Sequence, residues 1–184
     1  AAAITRSIIT LSPIEPKHLK EVINKLEMSG CNFEYSNKYL KIIPGQILHA
    51  VDITTMPFPG FPTDLQAPFM ALMTTAKGIS KIRETVFENR MHHVKELNRM
   101  GAKICLQDNI ATITGVKNLH GSAVVGVDLR ATAALALAGL SAKGKTIIQG
   151  LNHLERGYEN FASKLTSTGA EIINRRKKIN LYKL

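Results

Sequence analysis

Leu97-Asn98-Arg99-Met100-Gly101-Ala102 decides the fold, because the chain writes this pattern three times. Leu26-Glu27-Met28-Ser29-Gly30-Cys31 comes before it and Leu165-Thr166-Ser167-Thr168-Gly169-Ala170 after it. In each, a Leu stands four positions ahead of a Gly, the mark of a helix that ends in a left-handed glycine cap. The glycines lie 71 and 68 residues apart, and recurrence at a near-constant spacing signals repeated structural units. A second echo runs in the same register. Asp64-Leu65-Gln66-Ala67 opens a helix predicted to end at Ala76-Lys77-Gly78, and Asp128-Leu129-Arg130-Ala131 opens another predicted to end at Ala142-Lys143-Gly144.

Each unit therefore reads strand, helix, strand, helix, strand, strand. The second helix is predicted near Arg90 to Met100 in one unit and near Gly157 to Thr168 in the next. In the first unit, Val22, Ile23 and Leu26 recur at helical spacing, and Pro13 and Pro16 sit just ahead of them, where proline is tolerated. The result is an α/β chain with mixed sheets: a single domain over 1–184, divided into a partial first repeat (1–50), a second (51–118) and a third (119–184). The first repeat lacks its opening Asp. Ser7 falls at the helix-end position and Ala1 to Thr5 form the tail of a helix, so the chain is expected to be part of a longer protein. Arg175-Arg176-Lys177-Lys178 falls where the second unit has Gln107-Asp108-Asn109, and is predicted to be a solvated turn between two strands.

Composition narrows the function classes. Hydrophobic residues make up 45% of the 184, aromatics 5%, and Trp is absent, so the core is predicted to be aliphatic. The longest apolar run, Ala131 to Leu140, is interrupted by Thr132 and Gly139 and is too short to span a bilayer. Cys31 and Cys105 have no partner at metal-ligand spacing, which argues against zinc, and a reduced, cytoplasmic compartment is expected. Both are read as small buried hydrophobes rather than nucleophiles. His92 and His93 are neighbours on different sides of a helix and make a poor metal pair. The net charge of +10 suits anionic ligands, but its lysines are scattered and only Arg175–Lys178 is dense, so nucleic acid is disfavoured as a partner.

Two motifs carry more chemistry. Pro57-Phe58-Pro59-Gly60-Phe61-Pro62-Thr63-Asp64 is a proline-stiffened loop that delivers an acid to the start of an apolar helix. Glu84-Thr85-Val86-Phe87-Glu88-Asn89-Arg90 takes a strand, predicted to end near Thr85 and Val86, into a charged corner. With Ala1 to Ile9, Asp128-Leu129-Arg130 and Arg156-Gly157-Tyr158-Glu159, these segments resemble the second half of the UDP-N-acetylglucosamine enolpyruvyl transferases, which belong to the EPSP synthase-like superfamily. The Glu84–Arg90 block favours this nucleotide-sugar branch over the shikimate-pathway transferases.

The resemblance implies an inside-out arrangement: three repeats about a pseudo-threefold axis, helices inward and small sheets outward. It implies an enzyme that moves the enolpyruvyl group of phosphoenolpyruvate to the 3-hydroxyl of UDP-N-acetylglucosamine and releases phosphate, the first committed step of peptidoglycan synthesis. No metal or organic cofactor is implied. Its partners would be those two substrates and an N-terminal domain that closes the cleft, without which this chain is expected to be inactive. A sugar hydroxyl needs a carboxylate to take its proton. Asp64 matches the family's base, Asp128 an acid near the reacting centre, and either residue can also serve as a helix cap. Arg90, Arg130 and Arg156 match arginines that line the phosphoenolpyruvate site, where a planar donor fork suits phosphate and carboxylate. Arg130 also lies in a first helical turn, where free N–H groups favour an anion. Thr63 is a substrate contact or part of the capping turn. Val86 matches a backbone contact to the nucleotide sugar and also reads as a buried strand valine, and Phe87 reads as packed against the cleft wall or, more strongly, in the core. A shikimate-pathway transferase and a free-standing basic RNA- or phosphate-binding module are the alternatives.

Overall fold

The structure, a computed structural model, describes residues 1–173. The chain opens with α1 (Ala2–Thr5), β1 (Ile9–Leu11), α2 (Lys20–Met28), β2 (Cys31–Tyr35) and β3 (Leu40–Pro44). The same succession returns with one more strand in front: β4 (Ile53–Thr54), α3 (Gln66–Met73), β5 (Ile79–Arg83), α4 (His93–Arg99), β6 (Lys103–Gln107) and β7 (Ile110–Thr114). It begins a third time with β8 (Ala123–Val125), α5 (Leu129–Ser141), β9 (Ile147–Gln149) and α6 (Phe161–Ser167). The turn predicted at Arg175–Lys178 lies outside the described residues.

Small side chains determine what sits in the middle. Ala131, Ala133, Ala134 and Ala138 of α5 are buried, and methyl groups let a second helix approach closely. That helix is α3, in which every residue but Pro68 is buried. A helix apolar all round has no face to offer water and belongs inside. Pro68 is tolerated because it sits in the first turn, where its missing N–H would have had no intrahelical partner. α1 packs against both. The three helices that open the successive units thus meet at the centre.

The sheets stand outside them. β1, β3 and β2 form an antiparallel sheet in that order. β4 pairs parallel to β5, and β7 and β6 extend that sheet antiparallel, in the order β4-β5-β7-β6. β8 and β9 pair in parallel. Along β5, Ser80 and Ile82 are buried while Ile79, Lys81 and Arg83 are exposed, the alternation of a sheet with one wet face. Helices inside and sheets outside match the expected architecture.

The glycine caps are where the spacing put them: Gly30, Gly101 and Gly169 have φ of 100°, 89° and 97°. Elsewhere boundaries moved. α3 ends at Met73 and α5 at Ser141 rather than at their lysine-glycine pairs, because Lys77 and Lys143 leave the helices to make parallel bridges with His49 and His120. α1 is closed by Arg6, at φ 57°, one position before Ser7. The third unit's second helix starts at Phe161 rather than Gly157, after a 3-10 turn over Leu151–Arg156. Cys31 is buried as expected, but Cys105 is exposed. It occupies an outward position of β6, whose exposed face the alternation had already defined.

Candidate active site

Phe61 anchors the loop that carries the acid. It is 2% exposed and meets Phe69 of α3 edge-to-face, with ring centroids 5.3 Å apart. Its carbonyl accepts the Met56 N–H at 2.9 Å, which closes the proline-rich loop at its base. Gly60 is required there, since a Cβ would lie 2.5 Å from that of Met56. The chain then makes a 3-10 turn over Thr63–Leu65 before α3 begins.

Asp64 is inside that turn and caps nothing. The N-cap place of the turn belongs to Pro62 and that of α3 to Leu65, and neither helix start receives a side-chain hydrogen bond. The carboxylate, 64% exposed, turns instead to two guanidiniums. Arg130 Nε donates to Asp64 Oδ1 at 2.5 Å, and Arg90 Nη1 lies 3.6 Å from the same oxygen. Arg90 Nη1 also donates to Thr63 Oγ1 at 2.8 Å. Exposed ion pairs contribute about 0–1 kcal/mol, so this knot is of little use to the fold. It gathers Thr63, Asp64, Arg90 and Arg130 at the mouths of two central helices.

Asp128 does what had been expected of both acids. Its backbone is extended (φ −149°, ψ 173°), and Oδ1 accepts from the N–H groups of Arg130 at 2.8 Å and Ala131 at 2.9 Å. Its carbonyl accepts from Thr132 Oγ1 at 2.6 Å. The approach to the cap is tight: a Cβ on Gly126 would lie 2.0 Å from Thr132 Oγ1. The cap fixes the first turn of α5 and, with it, the root of Arg130.

Two neighbours of Arg90 differ from expectation. Phe87 is 52% exposed rather than in the core, and its ring lies under the Arg90 guanidinium, 3.8 Å from centroid to Cζ. A cation over an aromatic face is held by the ring quadrupole, so the ring flattens and orients the arginine. Val86 is half-buried and lies past the end of β5, which stops at Arg83. Its N–H is committed to Glu84 Oε1 at 2.9 Å, and its carbonyl accepts no hydrogen bond among the described residues. Arg156 is exposed and makes no ion pair or hydrogen bond among the described residues. Gly157 next to it packs on Leu129, so Arg156 stands near the start of α5 but outside the Asp64 knot.

Two residues at this surface carried no role in the sequence reading. Tyr158 has a phenol pushed up from its ordinary pKa, first by burial, then by the negative charge of Asp64 and, more weakly, of Asp128, with Arg130 opposing. Its hydroxyl therefore feels the same cluster. The only sequence signal was its place in the Arg156–Glu159 segment. Glu84 is 2% exposed with its carboxylate surrounded by donors, and nothing in the sequence separates it from the solvent-facing Glu88 four positions on. Among the described residues no group of three or more His, Cys, Asp or Glu could hold a metal ion, and no helix is long and apolar enough to cross a membrane.

Comparison with known proteins places the sequence and the fold. A UDP-N-acetylglucosamine 1-carboxyvinyltransferase 2 of Prochlorococcus marinus is 63% identical over 172 residues, 94% of this chain and 40% of the relative's length. A UDP-N-acetylglucosamine 1-carboxyvinyltransferase of a Nostoc species is 55% identical over 178 residues, 96% of this chain and again 40% of the relative. The chain thus spans about two-fifths of the length of the curated relatives it matches. Among solved structures, the enolpyruvyl transferase NikO from Streptomyces tendae superposes with a TM-score of 0.83 at 26% identity, covering 92% of this chain and 41% of that one. EPSP synthase from Acinetobacter baumannii shares the fold, with a TM-score of 0.71 at 17% identity over 95% of this chain and 41% of that one. The family model for EPSP synthase (3-phosphoshikimate 1-carboxyvinyltransferase) matches residues 1–165, and on that extent of agreement the chain belongs to the EPSP synthase family.

Proposed function

We propose that this chain is one domain, the C-terminal one, of a UDP-N-acetylglucosamine 1-carboxyvinyltransferase, and that Asp64 is the base that accepts the proton of the sugar 3-hydroxyl. The single observation that carries the reading is the exposed Asp64 carboxylate gripped by Arg130 at 2.5 Å and Arg90 at 3.6 Å. An acid and two guanidiniums at one point offer a proton acceptor beside a binding site for a doubly anionic co-substrate. High identity to relatives of that name supports the choice of acceptor.

Phosphoenolpyruvate brings a phosphate and a carboxylate that compete with Asp64 for the same N–H donors. As the anion takes Arg90 and Arg130, Asp64 is released towards the sugar hydroxyl. Arg156, exposed beside the start of α5, adds a third donor fork. Asp128 acts on the site through the backbone, by holding the turn from which Arg130 departs. The carbonyl of Val86, which accepts no hydrogen bond among the described residues, and the hydroxyl of Thr63 meet the nucleotide sugar. As the hydroxyl oxygen attacks C2 of the enolpyruvyl group, its proton passes to Asp64 and the C2–C3 π electrons take up a proton at C3. Loss of a C3 proton from the tetrahedral adduct then restores the double bond as the C2–O bond to phosphate breaks.

The described surface is one wall. A hollow of about 180 Å³ borders Arg90 and Phe87 without reaching Asp64 or Arg130, and a second of about 380 Å³ lies beside Tyr158. The remaining three-fifths of the relatives' length is the source we assign to the opposite wall, so turnover belongs to the full-length polypeptide, acting in the cytoplasm in peptidoglycan synthesis. The test is phosphate release by that polypeptide from phosphoenolpyruvate with either UDP-N-acetylglucosamine or shikimate 3-phosphate as acceptor. Release only with the nucleotide sugar is expected; release only with shikimate 3-phosphate would move the chain to the other branch of its family.

A further inference from the structure

Glu84 is the second carboxylate at this corner, and it faces inward. Its Oε1 accepts from Thr55 Oγ1 at 2.8 Å, from the Val86 N–H at 2.9 Å and from the Phe87 N–H at 3.1 Å. Its Oε2 accepts from Thr63 Oγ1 at 2.8 Å. A hydroxyl has one proton to give. Thr55 Oγ1 already accepts the Thr85 N–H at 2.9 Å and Thr63 Oγ1 already accepts from Arg90, so the proton of each goes to Glu84. Four donors thus converge on a group that, ionised, only accepts, and the charge of Arg90 stands one hydroxyl away.

The backbone of Glu84 is held as well. Its N–H donates to the Asn109 carbonyl at 3.0 Å and its carbonyl accepts from Asn109 Nδ2 at 2.8 Å, both in the turn between β6 and β7. Taking a carboxylate out of water is costly unless its lone pairs are satisfied, and ending a strand does not require one. What this carboxylate joins is specific: the turn that bears Asp64, through Thr63, and the backbone that leads to Val86 and Phe87.

We propose that Glu84 is a positioning residue for enolpyruvyl transfer, fixing the distance between the Asp64 turn and the Val86–Phe87 backbone, an inference that rests on Asp64 being the base. Glu84→Gln keeps the shape but replaces an accepting oxygen with an NH2 group that confronts donors. In the full-length polypeptide, kcat falls about 100-fold, the scale of a misplacement near 1 Å, while the KM for phosphoenolpyruvate stays nearly unchanged. Amide hydrogen exchange quickens at Val86 and Phe87 and keeps its rate in α5. Thr55→Val breaks the same bracket from its far side and lowers kcat in the same way, and Thr55→Ser restores it by restoring the hydroxyl.

An unchanged kcat in Glu84→Gln and Thr55→Val overturns the proposal. A kcat loss without faster exchange at Val86 and Phe87 overturns it too, as does a Thr55→Ser variant as slow as Thr55→Val. If Glu84→Gln fails to fold, the Thr55 pair decides. A wild-type polypeptide that releases no phosphate from phosphoenolpyruvate overturns the assigned reaction instead, and exchange at the two amides then decides whether the bracket exists.

Discussion

Asp64 and Asp128 stand at the mouths of two central helices, each followed by Leu, and they behave oppositely. Asp128 uses its carboxylate on the backbone of its own helix. Asp64 leaves its helix start uncapped and spends its carboxylate on side chains from elsewhere in the chain. The local cause is the residue in front. Asp128 follows Val127 and is extended, as a cap requires. Ahead of Asp64, Pro62 already occupies the N-cap place, and the 3-10 turn carries Asp64 past it. One turn type therefore commits its acid to the backbone, and the other leaves its acid to pair with side chains.

The comparison breaks first at Asp64. Asp64→Asn keeps the shape and removes the carboxylate proposed as proton acceptor, so turnover in the full-length polypeptide is expected to fall by about 10²–10⁴-fold, while the urea midpoint of this chain barely moves. An unchanged kcat would return Asp64 to the role of an ion-pair partner. The second test is an acid titration beside Asp128. His93 on α4 is 2% exposed, and burial pulls its imidazole from 6.5 down to about 4; the Asp128 charge opposes the shift and His92 adds to it. A pKa lowered by folding means that the unfolded chain takes the proton first. The His93 contribution is therefore fully present above about pH 6.5, drains as the pH falls, and is gone below about 4. At 1.36 kcal/mol per unit this amounts to about 3 kcal/mol. Urea unfolding of wild type and His93→Leu between pH 7.5 and 4 checks it: the variant should show the shallower decline. The smallest effect separates the two acids directly. Asp128→Ala removes a cap and costs about 1 kcal/mol, with Asp128→Asn largely retaining it, whereas Asp64→Ala costs no capping energy. Equal losses at the two positions would erase the distinction.

The recurrence of Leu before Gly was enough to find the three similar passages, because a left-handed cap admits few residues but glycine, and all three have positive φ. The apolar character of α3 and α5 was legible in runs broken by single residues such as Pro68 and Thr132, whereas their inward placement came from the resemblance. Helix ends were less so: the bridges from Lys77 and Lys143 to His49 and His120 are tertiary contacts that no local pattern announces. At the site, the resemblance named the arginines, and the structure draws Arg90 and Arg130 to Asp64 while Arg156 remains apart. Phe87 was misplaced because a lone aromatic beside charged residues reads equally well as core or as a plate beneath a cation. Glu84 was invisible, since burial is what distinguishes it from Glu88, and burial is a property of the fold.

The contact between α3 and α5 acts as a ruler for the surface as well as for packing. Asp64 hangs from the mouth of one of these rods and Arg130 from the mouth of the other, so the gap between acid and guanidinium is inherited from how closely the two rods lie. A larger side chain at a buried alanine of α5, as in Ala134→Leu, would push on the helices around it, and the gap between acid and guanidinium would shift before the fold lost its outline.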